Sequence, residues 1–283
     1  MAAAKPGAPS TSAWVIEVRR VQKGVRRAWR TGRMKVWNSA AGASVVPDPE
    51  SGDCWLVRGG GAQPQLRYRV DVKGMAARYG QPDYAEHIGA TFVVNDQSSL
   101  LHVWPLPSGV PIDLELRLPT GTPLALPWQQ VGPTQAVSDG GRAVESRMYQ
   151  LDSAQLDGGS YLVFGPLLRD TGVLQLTAGD AKAPGTANGL SPTREPQAHL
   201  YLLDLPRRAS DVALRGWIGA ALGAVARFYG DLMPRDSVVT LIPTGQSEDS
   251  GIFGTVLRPS RPSAIIFFGG RSQAPGLHED WLA

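Results

Sequence analysis

Apolar and polar residues alternate at period two through much of the first half of the chain. The clearest stretch is 112–118, where Ile112, Leu114, Leu116 and Leu118 fall on one side and Asp113, Glu115 and Arg117 on the other. Successive side chains of a strand point to opposite faces, so this pattern predicts a half-buried antiparallel strand. Residues 14–18 and 66–71 are strand candidates, the latter alternating in the same way, and 100–104 and 161–164 add two more. Turn clusters separate them: Gly59-Gly60-Gly61, the Pro-bounded segments 105–111 and 119–123, and Asp139-Gly140-Gly141. A short helix is predicted over 72–79, directly after Asp71. Many short strands punctuated by turns predict a β-sandwich.

The pattern changes across 179–197, a Gly-, Pro-, Ala- and Thr-rich stretch without periodicity that reads as a surface loop or interdomain connection. Beyond it, 199–203 predicts a strand. Ser210-Asp211 then offers an N-cap to a helix over 212–229. Leu214, Trp217, Ile218, Ala221, Leu222, Val225 and Phe228 recur there at three- and four-residue spacing, which makes one face apolar. Gly230 ends the helix and Pro234 prevents its resumption. Strands follow at 238–242 and 264–268; the second is apolar throughout, as expected of a strand covered on both faces. The fold class is therefore mainly β with a C-terminal α+β portion. The expected division is a disordered leader at 1–12, a β-sandwich domain at 13–178, a linker loop at 179–197, and a strand–helix–strand–strand portion at 198–283.

Composition narrows the function classes. With 283 residues, 42% hydrophobic and 19% charged, the chain is globular and can bury a sizeable core. The net charge is +3, and Arg19, Arg20, Lys23, Arg26, Arg27, Arg30, Arg33 and Lys35 make a local basic stretch. No nucleic-acid-binding motif accompanies it, so it reads as a solvated hairpin face and no nucleic-acid partner is expected. The single cysteine, Cys54, excludes an intramolecular disulfide and any Cys-rich zinc module, and reads as a small core residue at the start of a strand. No segment approaches the ~18 apolar residues of a membrane span. The first residues lack the apolar core of a signal peptide, which leaves the compartment open.

Few motifs carry chemistry. A zinc peptidase helix needs H-E-x-x-H, two histidines four apart on one face with a glutamate that activates water. His278-Glu279 is followed by Asp280, Trp281, Leu282 and Ala283, so the second histidine is missing and the pair reads as an acidic first turn of a helix. His87, His102 and His199 fall in separate predicted elements and read as structural or surface histidines. Neither G-x-S-x-G nor a P-loop occurs. Gly269-Gly270-Arg271 reads as a turn, with an anion cradle as the weaker alternative. The segment Ile252, Phe253, Gly254, Thr255 and Val256 is bracketed by glycines and precedes the last strand. It is read either as an ordinary hairpin or bulge, or as a sheet edge that accepts a peptide by strand addition.

Four stretches together carry a resemblance: 206–211 (PRRASD), 227–234 (RFYGDLMP), 254–258 (GTVLR) and 277–281 (LHEDW). In this order, behind a β-sandwich, they resemble the front part of the thermolysin-like gluzincin metallopeptidases, in particular the glycyl aminopeptidase family and its bacterial relatives. The resemblance implies a β-sandwich followed by an incomplete thermolysin-like catalytic subdomain. It also implies that Ile252, Phe253, Gly254, Thr255 and Val256 line a substrate cleft. In such proteins a D-W pair shortly precedes the zinc-binding helix. Here both zinc-binding histidines, the general base and the third ligand are absent, so no catalytic or metal-binding residue is assigned.

The expected protein is thus the N-terminal part of a zinc-dependent aminopeptidase-like enzyme, from a truncated or split reading frame and inactive alone. Zinc and a peptide substrate would belong to the parent enzyme. The alternative is a non-enzymatic β-sandwich module that binds a peptide or partner protein. The helix expected to cover one face of 264–268 is missing, so an exposed C-terminal sheet, low solubility and a protein partner covering that sheet are also expected.

Overall fold

The computed structural model describes residues 14–18, 27–29, 34–37, 44–47, 54–58, 66–100, 102–104, 111–139, 141–152, 155, 159–176, 197–229, 236–244, 251–257 and 263–270. They form four sheets and few helices. The outer sheet has the order β12 (Gln129–Gln130), β14 (Arg142–Asp152), β10 (Pro111–Pro119), β1 (Trp14–Val18), β6 (Leu66–Val70) and β3 (Met34–Trp37), with β13 (Gln135–Asp139) also on β14. Its pairings are all antiparallel.

The strand with the clearest alternation, β10, lies between β14 and β1, and its four aliphatics are buried in one core. One detail departs from a half-buried strand. Glu115, on the opposite face, is only 1% exposed. The Arg117 Nε donates to its Oε1 at 3.0 Å and the Ser146 hydroxyl donates to the same oxygen, so the charge is matched where it is covered.

The middle sheet runs β11 (Leu124–Ala125), β15 (Tyr161–Phe164), β8 (Thr91–Asn95) and β7 (Ala85–Ile88). It is apolar on both sides. Phe92, Val94, Leu162 and Phe164 pack toward the outer sheet, whereas Val93, Tyr161 and Val163 pack the other way. Helix α1 (Val72–Tyr79) adds Val72, Met75 and Ala76 to the first of these cores. It starts where the Asp71 carboxylate accepts the Gly74 N–H at 2.9 Å and stops at Gly80, whose φ of 58° is the left-handed turn that glycine adopts without strain.

The third sheet has the order β16 (Leu168–Gln175), β17 (Gln197–Leu203), β18 (Asp236–Thr244), β20 (Ser263–Gly269) and β19 (Gly251–Leu257). Its inner three strands are parallel and its two edge strands antiparallel. Leu203, Ile242, Ile265 and Phe267 pack against the middle sheet. Leu200, Leu202, Val239, Leu241 and Phe268 face the other way, onto Leu214, Ile218 and Ala226 of helix α2 (Asp211–Tyr229). The order of layers is outer sheet, middle sheet, third sheet, helix. A short turn of helix over Asp96–Ser99 follows β8. A further four-stranded sheet joins β4 (Ser44–Pro47), β5 (Cys54–Arg58), β2 (Arg27–Trp29) and β9 (His102–Trp104). No helix among the described residues is long and apolar enough to cross a membrane.

Two features differ from the sequence expectation. Leu168–Gln175 precedes the 179–197 segment yet pairs with Gln197–Leu203, so the third sheet takes an edge strand from the earlier part of the chain. The apolar face expected to be bare along β20 is covered in part: Phe268 is fully buried in a core that also holds residues of α2, whereas Ala264 and Ile266 on the same face are half-buried.

Helix α2 is anchored at its first turn. The Ser210 hydroxyl accepts the Ala213 N–H at 3.2 Å. Asp211 accepts from Arg169 of β16 at 2.7 Å and from Arg207 at 2.5 Å. The hydrogen bond from Arg169 leads in holding the Asp211 carboxyl below its ordinary range, and Arg207 adds to it. A carboxylate here also meets the positive end of the helix. Asp211→Ala is expected to lower stability by about 1 kcal/mol, partly screened because the side chain is 38% exposed. Chemical denaturation at low and at 1 M salt checks this; an equal loss at both would count against an electrostatic origin.

Candidate functional site

In an open sheet with parallel strands, ligands bind beyond the carboxyl ends of those strands. Those ends are Leu203, Thr244 and Gly269. Gly270 closes this end. Its N–H donates to the Thr244 carbonyl at 2.9 Å, and its own carbonyl accepts the Arg208 N–H at 2.8 Å. A Cβ at this position would lie 2.7 Å from the Thr244 carbonyl oxygen and 2.9 Å from that of Pro206, so only glycine fits. The Gly270 amide is committed to this junction and is not an anion cradle; Arg271 lies outside the described residues.

The sequence-assigned segment forms β19, the edge of the third sheet. It runs antiparallel to β20, which brings Gly251 beside Phe268, at the carboxyl end of the parallel strands. Between Gly251 and Phe253 the register shifts, so Ile252 is the extra residue of a bulge. Bulges re-aim the chain and recur beside binding sites. Gly254, Thr255 and Val256 then pair with Ile266, Ile265 and Ala264. Val256 is 53% exposed. One side of β19 is paired and the other carries a row of backbone donors and acceptors, the arrangement that takes up an extended peptide.

The described histidines do not come together. His87 stacks on Phe92 in β7 and β8, with ring centroids 4.6 Å apart. His199 bonds through Nε2 to Asp170 at 2.8 Å and stacks on Tyr201. His102 lies in β9 of the separate sheet, and His278 and Glu279 lie outside the described residues, as do Gly59-Gly60-Gly61. Cys54 begins β5 opposite Trp29. Among the described residues no group of three or more His, Cys, Asp or Glu could hold a metal ion. The described residues do not fit a zinc centre.

A second concave feature was invisible in the sequence. A cleft of about 440 Å³ opens between the β12–β14 edge of the outer sheet and the amino ends of β17 and β18. Trp128 and Tyr149 line it from one side, His199, Tyr201 and Asp236 from the other. Burial pushes both tyrosine hydroxyls up to about 12. The edge strand β19 takes no part in it.

No family model and no curated protein matches this sequence. Solved structures do. A protein of the aminopeptidase N family from Idiomarina loihiensis superposes with a TM-score of 0.57 at 12% identity, over 90% of this chain and 40% of that one. An M1 zinc metallopeptidase from Deinococcus radiodurans gives 0.48 at 12% identity, over 96% of this chain and 58% of that one. The chain thus spans about half the length of these solved structures, and at this identity the likeness is one of fold.

Proposed function

We propose that this chain forms the β-sandwich and first catalytic sheet of an aminopeptidase-like protein, with β19 as the strand that holds a peptide in extended form. The observation that carries this reading is the position of β19, an edge strand with its bulge at the carboxyl end of the parallel strands. Peptide backbone would pair with the outer side of β19, and side chains at alternate positions would set selectivity. For the whole protein we propose zinc-dependent peptide hydrolysis of the aminopeptidase type, with relatives in the glycyl aminopeptidase family and the metal ligands supplied from outside the described residues. The shared fold and the resemblance of 199–283 support this. On this reading the chain as given binds peptide but does not hydrolyse it.

The test is amide hydrogen exchange on the full chain with a saturating Ala-Ala-Phe-Ala peptide. Protection is expected across 251–257. Gly254→Pro removes a backbone donor and should abolish it, and Val256→Asp, at an exposed position, should weaken it without disturbing the fold. Protection confined to other elements would overturn the assignment of β19. Stoichiometric zinc with peptide turnover in the purified chain would overturn the reading that the chain as given binds peptide without hydrolysing it.

A further inference from the structure

We propose that β13, a free edge of the outer sheet, pairs antiparallel with β13 of a second copy of this chain, across a two-fold axis at Val137. This edge belongs to a different sheet from β19, and the pairing does not rest on the reading above.

The hairpin fixes which backbone groups face outward. Only Gly140 and Gly141 separate the paired residues Asp139 and Arg142. A pair closed by two residues exchanges both of its N–H···O bonds, and along an antiparallel ladder such pairs alternate with open ones. Asp139, Val137 and Gln135 therefore bond to Arg142, Val144 and Ser146 of β14, and Ala136 and Ser138 turn their N–H and C=O groups away from it. The rest of β14 agrees. Pro119 and Pro111, which have no N–H, stand opposite Val144 and Asp152, positions whose bonds this alternation directs away from β10. The Met148 carbonyl, in the same phase, accepts the Val131 N–H on the β13 side at 2.7 Å. Ala136 and Ser138 are exposed, and among the described residues no strand lies beyond β13.

Natural sheets blunt such edges with bulges, prolines or lysines. Both edge strands of the third sheet carry a bulge, between Asp170 and Val173 in β16 and between Gly251 and Phe253 in β19. β13 keeps its register with β14 from Gln135 to Asp139 and contains no Pro, Lys or Arg. Its one charge, Asp139, sits at the hairpin end. An edge of this kind is a template for another strand.

A second copy fits that template. A two-fold axis normal to the sheet at Val137 sets Ala136 of each protomer opposite Ser138 of the other, and each of these pairs exchanges both main-chain bonds. At the axis Val137 meets Val137, a β-branched pair at the closer spacing of an open position. Gln135 falls opposite Asp139, so no like charges are opposed. The joined sheet stays antiparallel throughout, as the outer sheet already is. One short strand on each side falls well below the ~800 Å² per partner of a standard interface, so the dimer is weak.

Sedimentation equilibrium of the full chain from about 5 µM to about 500 µM tests this. The mean mass is expected to rise from 30.2 kDa toward twice that value, with half-dimerisation at about 100 µM. Ser138→Pro deletes an outward donor that β14 does not use, and Val137→Lys sets two ammonium groups face to face at the axis. Each is expected to weaken association about tenfold or more. Thermal melts verify that the variants fold, and either one decides if the other does not. Residue-resolved amide exchange supplies a second readout: Ala136 and Ser138 should slow as concentration rises, whereas Gln135 and Val137, already bonded to β14, should not. The dimer is overturned if the chain stays monomeric at about 500 µM, if a folded variant associates like wild type, or if the slowing falls on other elements. Slowing of Ala136 and Ser138 by the Ala-Ala-Phe-Ala peptide in a chain that stays monomeric would assign this edge to an extended peptide and overturn self-pairing.

Discussion

Phe268→Ala is expected to destabilise the protein by about 3–5 kcal/mol, a fall in Tm on the order of 10 °C. Phe268 is fully buried near the end of β20, in the core that also holds Leu241 of β18 and Leu214 and Ile218 of α2. Truncation removes the ring's transfer free energy and leaves a cavity that a sheet and helix packed around it cannot close. Ile266, two residues back on the same face, is only half-buried, so Ile266→Ala is expected to cost about 1–2 kcal/mol. The contrast is informative because the sequence alone leads one to expect this face to be bare. If α2 did not cover it, both truncations would be cheap and alike. Equal losses at the two positions, in urea denaturation, would refute the packing described.

Much of the fold could be read from local pattern, and for identifiable reasons. The aliphatics of β10 lie where their alternation puts them because a half-buried strand must separate its faces. Helix α1 begins at Asp71 and ends at Gly80 because capping chemistry is local. The glycines bracketing β19 left two readings open, an ordinary hairpin or bulge and a sheet edge; the strand is bulged, paired antiparallel to β20 and last in the sheet order, a placement the local sequence did not decide. What depends on distant partners was not legible. Tyr161–Phe164 could be recognised as a strand, but not as part of a sheet buried on both faces, since a short apolar run is the same in either setting. Nor does anything in Leu168–Gln175 announce that it joins a sheet begun some twenty residues later. The cleft was hidden for the same reason. His199 is an isolated histidine in sequence, and only the strand pairing brings it beside Asp170 and opposite Trp128 and Tyr149.

Asp96→Asn is expected to have little effect on stability at about pH 4 and to stabilise the protein above neutrality, by on the order of 4 kcal/mol. Asp96 opens the short helical turn after β8 and is 0% exposed. Its Oδ1 accepts the Ser160 N–H at 2.7 Å, while the Ser160 carbonyl accepts the Asp96 N–H, so the residue ties this turn to the start of β15. Its Oδ2 has no partner. Burial pushes the carboxyl from an ordinary value near 3.8 up to about 7, against the opposing pull of the N–H groups of Ser160 and Gln97. Between those two values the folded state keeps a proton that the unfolded chain has released. The stabilisation is therefore complete below about pH 4, declines by about 1.4 kcal/mol per pH unit as pH rises, and is gone above about pH 7. Asparagine keeps the acceptor for Ser160 and never ionises, so it should behave like the protonated acid at every pH. Carboxylates held low by partners, Asp211 and Glu145, change stability in the opposite sense and cancel in the comparison of variant with wild type. Thermal melts of both proteins from pH 4 to pH 8 should diverge steadily as pH rises. Parallel curves, or a variant that is weaker at pH 8, would show that Asp96 ionises without cost and that its buried oxygen finds a partner.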